Sequence, residues 1–258
     1  MNLGINGKRA LVLGASQGLG AASAAALAAE GVAVTLLARS GEKLAARVAE
    51  ITSAGSSANL LIADLFDRKS LDPLFADPRG YDILVLNAPP PPPVAARNVD
   101  RVQWGRQFEA MFLNLIELAA HLGNGMAARK WGRILSIAST SVQEPIPGLV
   151  YSNALRAALQ NWLKSLADEL APLGVTVNTV APGAFATERT SSLDQAAATR
   201  SGKTLAEIEA EGVAGIPVGR YGAAHEFGAM IAFLAGEASA YTTGAFFRLD
   251  GGSSKGGI

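Results

Sequence analysis

"ALVLGASQGLGAASAAALAAEG", Ala10–Gly31, is the stretch that decides the fold. A short aliphatic run enters a turn holding Gly14, Gly18 and Gly20, and an alanine-rich run follows. Glycines at such a turn let the backbone approach a pyrophosphate, which then sits on the positive N-terminal end of a helix. A glycine triplet alone is weak evidence. Between a first strand and a helix it predicts a dinucleotide site, and the alternative is a tight turn that serves packing alone. The predicted cradle consists of Gly14, Ser16, Gln17, Gly18, Leu19 and Gly20.

Outward from this turn, short aliphatic runs alternate with alanine-rich ones. Strands are predicted at Arg9–Leu13, Val32–Leu37, Ala58–Ile62, Asp82–Leu86, Arg133–Ala138, Val175–Val180 and Ala245–Leu249. Runs apolar at nearly every position suit strands buried on both faces of a parallel sheet. Helical patterns fall at Leu19–Ala29, Glu42–Ser53, Val99–Met126 and Asn153–Leu170. This alternation implies right-handed crossovers. The expected fold class is α/β: a single Rossmann-type doubly wound domain over residues 1–258, with a seven-stranded, mostly parallel sheet and helices on both faces. No repeat or linker interrupts it, and Pro89–Pro93 stiffen one loop.

Composition narrows the function. The 22 basic and 22 acidic residues balance to a net charge of +0, which leaves no basic patch for nucleic acid and no cationic face for lipid. Cysteine is absent and the two histidines, His121 and His225, stand far apart, so no metal site is expected. "MNLGINGKRA" lacks the apolar core of a signal peptide, and no run approaches the ~20 apolar residues of a membrane span. A soluble, cytoplasmic protein with a small-molecule partner is expected.

The glycine spacing is G-x-x-x-G-x-G. It is followed in order by "LLARS" (Leu36–Ser40), "LIADL" (Leu61–Leu65), "ILVLNA" (Ile83–Ala88), "GRILSIAS" (Gly132–Ser139), "VNTVAPGAFAT" (Val177–Thr187) and "TGAFFRLDGG" (Thr243–Gly252). Over nearly the whole chain this resembles the short-chain dehydrogenase/reductase family, and the order is similar to that of reductases acting on 3-oxoacyl-acyl-carrier-protein. The resemblance implies that Asp64 and Leu65 flank the adenine and that Asn87 and Ala88 line the adenosine ribose. It implies that Pro182, Gly183 and Thr187 face the nicotinamide and that Thr190–Ile216 cover the substrate. It also implies a homotetramer (or homodimer) built through Val99–Met126, Asn153–Leu170 and Ala245–Leu249.

The second strand ends in Ala38-Arg39, with no acid to hold a ribose 2′-hydroxyl and a guanidinium suited to a 2′-phosphate. NADP(H) is therefore the expected cofactor, although Gln17 stands where NADP-dependent relatives often carry a second basic residue.

The chain departs from the family at two places. After the fourth strand the family has Asn-Asn-Ala-Gly; here Leu86-Asn87-Ala88-Pro89 leads into four more prolines, which lack N–H donors. In the family, a serine precedes the catalytic tyrosine by thirteen residues and a lysine follows it by four. Ser139 fits the serine, but the tyrosine position then holds Ser152 and the lysine position Arg156. Lys164 and Pro182-Gly183 keep the same register, so Tyr151 is one residue early. The family asparagine position holds Met111, with Asn114 one turn later.

Carbonyl reduction needs a hydride and a proton for the nascent alkoxide. Tyrosine has suitable acidity, serine is far less acidic, and arginine holds its proton too tightly to relay it. The expected catalytic set is Ser139, Tyr151 and Arg156, with Tyr151 reaching the site through an adjustable helix start after Pro147-Gly148. Arg156 is expected to hold the nicotinamide ribose as well. The first functional reading is an NADP(H)-dependent oxidoreductase interconverting a carbonyl and a secondary alcohol, with a 3-oxoacyl thioester among the candidate substrates. The second is a non-catalytic NADP(H)-binding protein, a sensor or assembly partner with a degenerate site.

Overall fold

In the computed structural model, which describes residues 2–77 and 79–256, strands and helices alternate from the first strand on. The first half runs β1 (Arg9–Leu13), α1 (Gly18–Ala29), β2 (Ala33–Ala38), α2 (Gly41–Ser53), β3 (Ala58–Ile62), α3 (Asp72–Ala76) and β4 (Ile83–Asn87). Next come α4 (Arg101–Phe108), α5 (Asn114–Ala128), β5 (Gly132–Ile137), α6 (Val150–Leu170) and β6 (Val175–Pro182). The chain continues through β7 (Phe185–Ala186), α7 (Glu188–Ser201), α8 (Leu205–Ala214), β8 (Gly222–Ala223), α9 (Ala224–Ala235) and β9 (Phe246–Leu249).

Among the described residues the main sheet has seven strands in the order β3-β2-β1-β4-β5-β6-β9. Every pairing in it is parallel. The order reverses between β1 and β4, and a crevice opens outside the carboxyl ends of strands at such a point. Strand alternation divides the core. Leu11 and Leu13 join the cluster under α5 and α6, while Ala10 and Val12 join the cluster under α1 and α9. No helix among the described residues is long and apolar enough to cross a membrane.

Three expectations need correction. β3 is an edge strand, so Leu60 and Ile62 are 40% and 57% exposed despite the apolar run. Val99–Met126 is not one helix: a π-helical turn, Glu109–Leu113, separates α4 from α5. The extra residue shifts the helical phase and turns both Met111 and Asn114 inward. Finally, α6 starts at Val150 rather than Asn153. The Asn153 amide donates to Ile146 O at 2.9 Å, which clasps the preceding loop onto the first helical turn.

Candidate active site

The glycine turn owes its shape to close contacts. Gly14 and Gly18 have φ of +60° and +58°, conformations that side chains rarely adopt. A Cβ on Gly20 would collide with Gly14 O, and one on Gly14 would lie 2.7 Å from Asn87 Nδ2. β1, α1 and β4 therefore meet at the crevice only because these positions are glycine. Gln17 is the N-cap of α1 but makes no capping bond, and among the described residues no acid stands in the first turn. The N-terminal partial charge of the helix is thus left for a ligand anion, and the cradle fits a pyrophosphate. A cavity of about 720 Å³ adjoins it, lined by Gln17, Gly18, Arg47, Thr187 and Glu188 among others.

At the adenosine end Ala38 is buried and Arg39 exposed. Sequence reasoning missed a second cation here: Lys43 Nζ donates to Gln17 Oε1 at 2.8 Å. Its position in the first turn of α2, four residues after Arg39, was the available signal. The Asp64 carboxylate accepts from Phe66 N at 3.0 Å and shapes the next loop. Asn114 Nδ2 donates to Leu65 O at 2.8 Å, so the inward-turned π segment fixes that same loop from below. Ala88 is buried beside Asn87, and Pro89–Pro93 follow without regular structure. Val94 N then donates to Gly148 O at 2.7 Å, tying the proline loop to the start of α6.

At the nicotinamide end Pro182 closes β6, and Gly183 N donates to Leu249 O at 2.9 Å. A Cβ on Gly183 would meet Asp250 Cα at 2.8 Å. Thr187 caps α7, accepting from Thr190 N at 3.4 Å. Its side chain and that of Glu188 come to 3.8 Å and 4.0 Å from where a Gly18 Cβ would be. The residues expected to cover the substrate form α7, α8 and the chain to Ile216, largely exposed.

Ser139, just past β5, is half-buried, and its Oγ accepts from Ser141 N at 3.1 Å. Arg156 Nε donates to Ser152 Oγ at 3.2 Å, and Arg156 Nη1 donates to Ile137 O at 2.7 Å. Burial and the neighbouring Arg189 guanidinium push the Arg156 pKa down to about 10. The structure thus joins Ser152, Arg156 and the end of β5. It does not bring Tyr151 with them. The inward turn at the start of α6 does not occur, because the chain is already helical at Val150. Successive helical residues point ~100° apart. Tyr151 is 2% exposed in the core, its ring edge-on to Trp104 at 4.7 Å.

The family profile described as Enoyl-(Acyl carrier protein) reductase matches residues 14–254. The chain is 30% identical over 257 residues to 3-oxoacyl-[acyl-carrier-protein] reductase FabG of Aquifex aeolicus (strain VF5), covering 98% of this chain and 99% of that one. It is 33% identical over 249 residues to the 3-oxoacyl-[acyl-carrier-protein] reductase of Synechocystis sp. (strain ATCC 27184 / PCC 6803 / Kazusa), covering 94% and 95%. The L-sorbose reductase of Gluconobacter frateurii, solved with NADPH and L-sorbose, superposes with a TM-score of 0.93 at 26% identity, over 99% of this chain and 100% of that one. With the parallel sheet, the glycine turn and Ser139 at the end of β5, these matches place the chain in the short-chain dehydrogenase/reductase family.

Proposed function

We propose that the protein is an NADP(H)-dependent oxidoreductase that interconverts a carbonyl and a secondary alcohol. The observation that carries the reading is the bonding of Arg156 to Ser152 Oγ and to Ile137 O at the end of β5, the strand that Ser139 follows. NADP(H), when bound, supplies or accepts the hydride. Gly14, Ser16, Gln17, Gly18, Leu19 and Gly20 would hold its pyrophosphate, and Arg39 its 2′-phosphate. Asp64, Leu65, Asn87 and Ala88 would surround the adenosine, with Pro182, Gly183 and Thr187 at the nicotinamide. Arg156 has Nε and Nη1 engaged within the protein, so Nη2 is the nitrogen assigned to the ribose.

Reductases of 3-oxoacyl thioesters among the relatives make these thioesters the first substrates to try. NADPH consumption with a panel of 3-oxoacyl thioesters and simple ketones tests the reading; NADPH binding without turnover of any of them would instead support the non-catalytic reading. Burial of Tyr151 is the observation that favours that second reading. The segment from Thr190 to Ile216 is assigned as the substrate cover. Assembly as a homotetramer in the cytoplasm is part of the proposal. Apolar surface around the π turn supports an association face: Phe108 at the end of α4 stacks on Phe112 at 5.1 Å, and Phe108 and Leu113 remain 39% and 41% exposed.

A further inference from the structure

We propose that the Ser152 hydroxyl is the proton donor to the substrate oxygen and that Arg156 positions and polarises it. The inference rests on the carbonyl-reductase reading above. Residues four apart on a helix share a face, and Ser152 and Arg156 are joined on theirs by the 3.2 Å bond. The guanidinium cannot swing away, because Nη1 is anchored to Ile137 O at 2.7 Å. A hydroxyl carries one proton and can accept as well. With its oxygen accepting from a cation, Ser152 keeps that proton for a ligand, and the adjacent positive charge favours its loss.

Ser139 is the weaker candidate. Its oxygen accepts from a neutral backbone N–H, so it gains no such polarisation and serves as a second hydrogen-bond donor to the same oxygen. Tyr151 has the better acidity but lies in the core against Trp104. Arg156 itself does not release its proton at working pH. Ser152 as a residue is buried but not sealed, at 8% exposed.

The step balances as follows. The carbonyl carbon gains a hydride from the nicotinamide, and the carbon–oxygen π pair moves onto oxygen. That oxygen takes the Ser152 proton, the serine oxygen is left beside the Arg156 charge, and solvent water returns the proton. A free alkoxide is a stronger base than a serine oxygen paired with a guanidinium, so the transfer runs in the required direction. The low acidity of serine limits its speed.

The test compares Ser152→Ala, Ser152→Thr and Tyr151→Phe with the parent, using a ketone that the parent reduces. Ser152→Ala is expected to lose at least ~10²-fold in kcat with NADPH affinity unchanged, and Ser152→Thr to regain most of it. Tyr151→Phe is expected to retain the parent kcat. A ligand-free readout accompanies these: hydrogen exchange of the Arg156 Nε–H by NMR, slow in the parent and fast in Ser152→Ala. Normal turnover by Ser152→Ala, loss of turnover in Tyr151→Phe, or unchanged exchange would each overturn the proposal. If the parent binds NADPH yet reduces nothing in the panel, the reductase reading itself fails, and the proposal with it.

Discussion

Lys43 Nζ lies 2.8 Å from Gln17 Oε1, so the first turn of α2 supplies a cation beside the glycine turn. Position 17 itself carries no charge, so this cation comes from α2. Arg39 is exposed at the end of β2, so two positive groups are available to the 2′-phosphate of the proposed cofactor site.

The cofactor prediction follows directly. NADPH is expected to bind more tightly than NADH, and Arg39→Asp to reverse the order. Lys43→Ala is expected to weaken NADPH by ~2–13-fold, the ~0.5–1.5 kcal/mol of a typical hydrogen bond, the lower range because Lys43 is exposed, while leaving NADH nearly unchanged. Calorimetric titration of both cofactors checks it, and equal losses for the two would remove Lys43 from the phosphate site.

The β-strands and the glycine turn were legible in the sequence because their signals are local: apolar runs, and glycines at a fixed spacing. Arg156 and Ser152 were legible as a register, by counting from Ser139. Their mutual bond was not, since it depends on α6 starting at Val150 and on Asn153 clasping Ile146. The π turn was hidden for a similar reason. The inward placement of Asn114 is set by its bond to Leu65 O, a contact 49 residues away in sequence. Lys43 was overlooked because an exposed lysine in a first helical turn usually faces only solvent.

Glu188 bears on the same cradle from the opposite side. Its Oε2 comes within 4.0 Å of where a Cβ on Gly18 would lie, beside the turn at which a pyrophosphate is expected. Two unit charges about 4 Å apart repel by ~1 kcal/mol even in water. Glu188→Gln is therefore expected to tighten NADPH by ~5-fold at low salt, with a smaller gain at high salt. Fluorescence titration at two ionic strengths measures both, and a salt-independent gain would point to a cause other than charge.

Acid stability turns on α9, which packs so closely on α1 that a Cβ on Gly228 would lie 2.5 Å from Ala22 O. Glu226 caps this helix, accepting from Ala223 N at 2.7 Å and from both Arg220 Nη atoms at 2.8 Å and 2.7 Å. The Arg220 guanidinium, with the Ala223 N–H second, holds the Glu226 pKa down at about 2, against an ordinary value of 4.5. A carboxylate depressed in the folded state contributes stability above its unfolded pKa and loses it as pH falls through the folded one. The melting temperatures of parent and Glu226→Gln are thus expected to differ at pH 7 and to converge between pH 4.5 and about 2. The pair is exposed, so the difference is small and shrinks with salt.

Arg156 sets stability against function. Its two hydrogen-bond partners are neutral, Ser152 Oγ and Ile137 O, and the nearby Arg189 repels it. Burial and that repulsion disfavour its charged form, so at neutral pH the folded protein carries an uncompensated positive charge. Desolvating a charge costs several kcal/mol where burial is complete and less where water still reaches it, as here. The two hydrogen bonds lost with the guanidinium have a charged donor, a class worth ~1.5–3 kcal/mol each, so they offset much of that cost. Arg156→Met keeps the aliphatic stem and removes the charge. With the relieved desolvation and the lost hydrogen bonds opposed, it is expected to shift the melting temperature of the ligand-free protein by no more than ~2–4 °C, the change that about 1 kcal/mol gives in a chain of this size. The same change is expected to lower kcat by at least ~10²-fold, since Ser152 loses the cation on its oxygen. Calorimetric melting and turnover on one preparation decide the matter. A variant that is inactive and melts more than ~4 °C lower would show that the guanidinium is a structural strut, whereas one that is inactive but keeps its melting temperature fits a charge retained for catalysis.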